Sequence, residues 1–262
     1  MSADTRPPPI QVHQYNKDTY ILRQNKCIHY EAPFIYVLFG QDKVLIEDTG
    51  ATSSATTFPI YNTVLGIVNN WLAANNKSSI QLIVVNSHGH GDHTAGNTQF
   101  SGKPNTTLVG TSQTAVKNFF GIVNWPTDIV QYDLGRRVLD IIPIPGHQAA
   151  HIAIYDRQTG ILLTGDTLYP GRLYISAWND YKNSIARMVN FAQNKPVTWV
   201  LGTHIEMSST PTVDYPLGST YQPNEHVLQL NVNHLIELHN AVQAMGNSPV
   251  YQKHASFIIY PL

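Results

Sequence analysis

The chain has a single cysteine, Cys27, in 262 residues. An intrachain disulfide is therefore impossible, and the multi-cysteine zinc sites that staple small domains are excluded. Charge is scarce too: Asp, Glu, Lys and Arg make up 13% of the residues, and the formal net charge is -1. That leaves no broad basic surface, so neither nucleic acid nor anionic lipid is expected as a partner. No run approaches the ~18 apolar residues that a membrane span needs. The polar segment Met1–Ile10, with Pro7-Pro8-Pro9, also lacks the apolar stretch of an export signal. A cytoplasmic protein acting on a small molecule, without a membrane partner, is the expectation. Cys27 itself lies in a strand-like segment and is read as a small packed hydrophobe.

What is present is enough apolar material, 42% of residues, for a sizeable core. Residues 19–22 and 34–39 read as strands, rich in β-branched and aromatic side chains, and Val44–Glu47 follows a turn at Gln41-Asp42-Lys43. Helical spacing of Ile60, Val64, Leu65, Ile67, Val68, Trp71 and Leu72 predicts an amphipathic helix to Ala74. A strand at 80–85 follows, with Asp92 or Thr94 expected to cap a short helix after it. Further on, strands are expected at 106–110, 137–144, 151–155, 160–163, 197–201 and 255–260. Helices are expected at 112–120, at 183–194 capped near Asn183, and at 225–245. The polar stretch 205–224 reads as a surface loop. Strands and helices interleaved in this way predict a layered α/β fold. With no visible linker, residues 1–262 read as one domain, built from two sheet-plus-helix halves of roughly 1–130 and 131–262.

The densest chemistry is Ser87-His88-Gly89-His90-Gly91-Asp92-His93, at the end of the apolar run Gln81–Val85. Three imidazoles and a carboxylate fall within six residues. Packing is a poor reason for such crowding, because protonated imidazoles repel and buried ones need partners for both nitrogens. A divalent cation uses their lone pairs instead. Three more apolar strands each deliver a ligand-type residue at their end: His147 after Pro145-Gly146, Asp166 after Thr164-Gly165, and His204 after Gly202-Thr203. Strand ends are rigid and hold side chains accurately. One cluster of His88, His90, Asp92, His93, His147, Asp166 and His204 is expected. Seven ligands are too many for one zinc ion and suit two.

These motifs, in this order and with Asp48-Thr49-Gly50 upstream, resemble the metallo-β-lactamase fold superfamily. The resemblance implies a four-layer αβ/βα sandwich with a binuclear metal site at one edge of paired sheets. It implies that His88, His90 and His147 bind the first ion, that Asp92, His93 and His204 bind the second, and that Asp166 bridges them. Two Zn(2+) are the implied cofactors, although such ligands also accept iron, manganese or cobalt. The implied chemistry is hydrolysis by a hydroxide held between the metals, with Asp92 orienting it or carrying a proton to the leaving group.

The substrate is less sharply marked, because one fold hosts many reactions. A bridging aspartate departs from the true class B β-lactamases. Glyoxalase II shares the ligand set and the run Gly165-Asp166-Thr167-Leu168, but the basic residues expected to hold glutathione are not evident. Tyr169, three residues after Asp166, matches a tyrosine that contacts the substrate carbonyl in acyl-homoserine-lactone lactonases. It is taken as a second catalytic residue, donating to the developing oxyanion. A lactone or ester therefore ranks first, with a thioester or β-lactam behind. A phosphodiester is disfavoured because the chain shows no basic groove. His151 reads as supporting the ligands rather than joining them. Asp48 reads as orienting ligand loops or ending a strand, and Arg172 as a solvated surface residue before a binder of a substrate carboxylate. Glu206 either tunes the second metal or faces solvent, and His226, His234 and His239 read as surface residues. Tyr174, Trp178 and Tyr221 either wall a substrate pocket or pack loops.

Overall fold

The computed structural model describes residues 7–262, so the first six residues of the N-terminal segment lie outside the described residues. The described chain forms two compact units, one of residues up to 86 together with 90–108, the other of residues 87–89 together with 109–262. The histidine-rich segment is thus divided between them at the Gly89–His90 peptide bond.

In the first unit, β1 (Ile10–Asn16), β2 (Thr19–Gln24), β3 (Phe34–Phe39) and β4 (Lys43–Glu47) form an antiparallel meander. Helix α1 (Ile60–Ala74) leads to β5 (Gln81–Val85), which pairs parallel to β4. Two single-turn helices, α2 (Gly91–Thr94) and α3 (Asn97–Phe100), precede β6 (Thr106–Leu108), parallel to β5. No side chain caps the start of α1, so packing holds it. Its Ile60, Val64, Ile67, Val68 and Trp71 bury against Val37, Phe39, Val44, Ile46, Leu82 and Val84. Each such side chain contributes about 1.5–3 kcal/mol when withdrawn from water. Trp71 stacks on Phe39 at 4.8 Å between ring centroids and donates its indole N–H to Asp18 at 2.9 Å.

In the second unit, α4 (Gln113–Phe120) starts at Ser112, whose hydroxyl accepts from Ala115 N, and stops at left-handed Gly121. Strands β7 (Val130–Asp133), β8 (Val138–Pro143), β9 (Ile152–Asp156) and β10 (Ile161–Gly165) follow. After β11 (Arg172–Ile175), α5 (Trp178–Ala192) returns the chain to β12 (Trp199–Gly202). The chain closes with α6 (Val232–Met245), β13 (Gln252–Lys253) and β14 (Ile258–Pro261). One sheet has the order β12-β10-β9-β8-β7 and a smaller one β11-β14-β13. Helices α5 and α6 supply Tyr181, Ile185, Met188, Leu235 and Leu238 to a core shared with Ile142, Leu162, Leu173 and Ile259. The buried Arg137 forks onto Asp156, with Nε at 3.1 Å and Nη2 at 2.7 Å.

One feature of the larger sheet matters most for the chemistry. β8 is antiparallel to β9, β9 is antiparallel to β10, and β10 is parallel to β12. Strands β8, β10 and β12 therefore run in one direction, and their carboxyl ends share one edge of the sheet. His147, Asp166 and His204 are carried on the segments leaving those three ends.

Mixed sheets with helices make this an α/β fold, as expected. Several details differ. Cys27 is exposed in a turn rather than packed in a strand, because the chain leaves β2 at Gln24 and folds back on Asn25. Asp92 and Thr94 lie inside α2, whose first turn follows His90. Asn183 sits within α5, which starts five residues earlier at Trp178. Helix α6 begins at Val232 rather than 225, because the Asn231 side chain accepts from Asn233 N and His234 reaches back to the Asn231 N–H. Strands β1, β7, β11 and β13 are additional. Among the described residues, no helix is long and apolar enough to cross a membrane.

Candidate metal centre

The second unit holds four of the expected ligands in one buried cluster. His147 donates its Nδ1–H to the Tyr174 carbonyl at 2.7 Å, since a carbonyl can only accept. Its Nε2 therefore presents a lone pair, and it faces His88 Nε2 at 3.2 Å. His88 Nδ1 is in turn 3.1 Å from the Ser87 hydroxyl. Ser87 is fixed because its carbonyl accepts from Ile152 N at 2.9 Å, at the start of β9.

Asp166 lies between imidazoles on both sides. Its Oδ2 is 3.6 Å from His147 Nε2 and 4.0 Å from His88 Nε2, while its Oδ1 is 3.4 Å from His204 Nε2. One carboxylate thus offers each oxygen to a different group of histidines. Thr203 donates its hydroxyl to Asp166 Oδ1 in a very short contact, which holds the carboxylate in this attitude. Gly165 just before it has φ +50, and a Cβ there would overlap the His151 ring. The turn that delivers Asp166 therefore requires glycine.

His151 is fully buried, with Nδ1 3.3 Å from the Thr167 hydroxyl and its ring 4.6 Å from that of His88. It packs behind the cluster, as its place at the start of β9 suggested.

The first unit holds the rest. His93 Nδ1 is 2.8 Å from Asp48 Oδ2, and its Nε2 is 2.9 Å from Asp92 Oδ2. Donation of Nδ1–H to Asp48 would leave the Nε2 lone pair against a carboxylate oxygen, an arrangement that a cation relieves. Asp48 adopts φ +69 at the end of β4. The backbone carbonyl of His93 accepts from Thr49 N at 2.8 Å and from Asn86 Nδ2 at 2.7 Å, and Asn97 orients Asn86 at 2.9 Å. His90 is exposed, in extended conformation at the start of α2, and its carbonyl accepts from the Thr94 hydroxyl at 3.0 Å. Thr49, Asn86, Asn97 and Thr203 carry no metal-ligand signature in sequence, and only the fold reveals their role.

Glu47 is also unannounced by the sequence. It is fully buried at the end of β4, paired in register with Tyr36. Burial first, then the neighbouring Asp48 carboxylate, push its carboxyl well above the ordinary range, against a smaller pull from His93. A charge on Glu47 is thus strongly disfavoured in the folded chain.

Tyr169 departs from its expected place. Only 2% of it is exposed. Its hydroxyl donates to the Arg172 carbonyl and lies 3.3 Å from Glu206 Oε2. Burial, with the nearby Glu206 and Asp166 carboxylates, raises the phenol well above its ordinary value. Its proton is thus given to the protein rather than offered to a substrate. Arg172 is likewise not a solvated residue: it is buried, with Nη2 2.6 Å from Asp214 and Nη1 3.3 Å from Glu206. Burial opposes its charge, but Glu206 and Asp214 outweigh it and raise the guanidinium above its ordinary value. Tyr174 packs at 5.0 Å on Tyr260, Trp178 donates to the Gly246 carbonyl at 2.8 Å, and Tyr221 is 79% exposed. Those three do not form one wall. His226 and His234 are half-buried rather than on the surface, both within reach of the Ser256 hydroxyl at 3.0 and 3.3 Å.

Imidazoles and carboxylates of this kind, buried except for His90 and Asp92, have the donor chemistry of a metal site. Comparison with known proteins agrees. Residues 31–204 match the family described as the metallo-beta-lactamase superfamily. A hydroxyacylglutathione hydrolase of Rippkaea orientalis is 32% identical over 132 residues, 47% of this chain and 51% of that protein. The chain thus spans about half the length of that relative. The acyl-coenzyme A thioesterase MBLAC2 of Bos taurus is 25% identical, over 71% of this chain and 77% of that protein. Among solved structures, a metallo-beta-lactamase from Pontibacter korlensis superposes with a TM-score of 0.58 at 18% identity, covering 89% of this chain and 99% of the other. At that identity the likeness shows the fold alone.

Proposed function

This chain belongs to the metallo-β-lactamase superfamily, and from that premise we propose that it is a binuclear metal-dependent hydrolase of a small acyl thioester. The observation that carries the binuclear reading is Asp166, whose two oxygens face different imidazoles at 3.4 and 3.6 Å. In this reading His88, His90 and His147 hold one ion, Asp92, His93 and His204 hold the other, and Asp166 serves both.

Bound divalent ions, zinc foremost, supply Lewis acidity and lower the pKa of water towards neutrality. The chain's own residues do the rest. Asp166 and Asp92 bring two negative charges to the centre and leave it electropositive, which suits a substrate carbonyl. Asp92, the less buried of these carboxylates, is the residue placed to receive a proton and pass it to the leaving group. Asp48 and the Tyr174 carbonyl fix the rings of His93 and His147, so that Nε2 of His93 faces Asp92 and Nε2 of His147 faces His88.

The thioester ranks before the lactone for two reasons. Tyr169 gave the lactone its lead, and its hydroxyl is committed to Arg172. The relatives named above act on acyl groups carried by glutathione and coenzyme A. The test is metal analysis of the purified protein, then turnover of acylglutathiones, acyl-coenzyme A esters, lactones, a cephalosporin and phosphodiesters. Two ions per chain and the highest kcat/KM on a thioester are expected. A preference for lactones restores the other ester reading, and a preference for phosphodiesters overturns both.

A further inference from the structure

We propose that Tyr169, clamped by Glu206 and Arg172, is a positioning residue for His204 and sets how tightly the second metal position holds its ion. This rests on the binuclear reading above. The Tyr169 ring meets the His204 ring edge-on, 5.5 Å between centroids and 67° between planes. The ring lies directly against Gly171, where a Cβ would overlap it, and the Tyr169 Cβ packs as closely on Gly202. Gly171 thus admits the ring, and Gly202 admits the backbone that carries it. The phenol is fixed at its far end by the Arg172 carbonyl and Glu206.

Glu206 is the hub of the clamp. Its Oε2 accepts from Arg172 N at 2.7 Å, and its Oε1 lies 3.3 Å from the Arg172 guanidinium. Its backbone N–H and that of Met207 both bond to the Pro170 carbonyl, at 2.7 and 3.0 Å. The segment that follows His204 is thus tied to the segment that follows Asp166. Arg172 extends the tie to Asp214, which Lys253 also holds at 2.7 Å. The position of His204 is consequently set by a chain of charged contacts running from the buried Arg172 through the partly buried Glu206 and Asp214, none of which needs to touch a substrate. Groups that orient metal-binding histidines in this way change metal affinity by about 10–100-fold when lost.

Tyr169→Phe, which removes only the hydroxyl, and Glu206→Gln, which keeps the volume, test the role. Metal retained by the purified protein is measured against rising concentrations of a chromophoric chelator, and kcat and KM are measured on the best substrate. In Tyr169→Phe, half of the bound metal is expected to leave at about 10–100-fold lower chelator concentration than in wild type, the other half leaving as before. kcat falls, KM stays within about twofold, and excess metal ion restores kcat; Glu206→Gln does the same to a smaller extent. Wild-type chelator curves in both variants overturn the proposal, and a fall in kcat with both ions retained identifies the phenol as a substrate contact instead. A wild-type protein that holds one ion overturns the binuclear reading and is seen before any variant is compared. The positioning role then stands or falls on whether that single ion leaves earlier in Tyr169→Phe.

Discussion

The two half-sites are anchored by different chemistry. In the second unit, His88 and His147 are oriented by neutral groups, the Ser87 hydroxyl and the Tyr174 carbonyl. In the first unit, His93 is backed by a carboxylate, Asp48, at 2.8 Å. A carboxylate behind an imidazole makes it a more basic ligand than a carbonyl does. The first unit also adds Asp92, so its contribution carries more negative charge around fewer imidazoles. On the binuclear reading proposed above, the position taken by Asp92 and His93 is held more by charge than the position taken by His88 and His147. The buried Glu47 beside Asp48 adds little to that charge, because burial disfavours its ionisation.

The change with the largest expected effect removes the carboxylate proposed to serve both ions. Asp166→Ala deletes the carboxylate that faces both histidine groups, and both ions are expected to be lost or weakened. Metal content should fall below one ion per chain, and kcat/KM by about 10³-fold or more. Full metal content in this variant would mean that the two positions do not depend on a common ligand.

Asp48→Asn sharpens the comparison by changing one half alone. The side chain keeps its shape and loses its charge, so His93 becomes a poorer ligand. Affinity for one of the two ions is expected to drop by about 10–100-fold while the other is unaffected. Chelator titration followed by elemental analysis reads both at once. Equal weakening of the two ions would erase the distinction drawn above.

The same contrast explains how much was legible in the sequence. The first unit's ligands, His90, Asp92 and His93, are contiguous, so covalent spacing alone displays them. The second unit's His147, Asp166 and His204 are spread over nearly sixty residues, and they became visible because each follows an apolar strand. β8, β10 and β12 run in one direction, which is why that pattern was informative. What stayed hidden was orientation. Tyr169 stands at a suggestive spacing, but no sequence signal says that Gly171 makes room for its ring inside the protein. Arg172 and Glu206 look like surface charges until each is given the other as partner. Strands β1 and β7 were missed because edge strands are largely solvated and show no apolar face.

A smaller effect is expected from Gly165→Ala, which perturbs only the second unit's half. Alanine at φ +50 costs about 1–2 kcal/mol in backbone strain, and its methyl group would press on His151. Urea denaturation of the metal-free protein should show a loss of at least that size. An unchanged midpoint would mean that His151 is free to give way and does not brace the cluster.

The smallest effect, and the most specific, belongs to Glu47 in the first unit. Its folded carboxyl titrates well above the unfolded value because burial and Asp48 oppose ionisation. The sign follows directly. Below the unfolded value of about 4.3, both states hold the proton and Glu47 imposes no pH-dependent cost. As pH rises beyond that, the unfolded chain releases the proton while the folded chain keeps it, so stability falls until the folded carboxyl itself ionises. Glu47→Gln removes the titrating group at nearly constant volume. Metal-free Glu47→Gln should therefore gain stability relative to wild type between pH 4.5 and neutrality, as an increasing separation of the two urea midpoints (about 4.5 being the unfolded carboxyl range). A constant separation across that range would mean that Glu47 is ionised in the folded protein, and that the first unit's half-site carries two negative charges behind His93 rather than one.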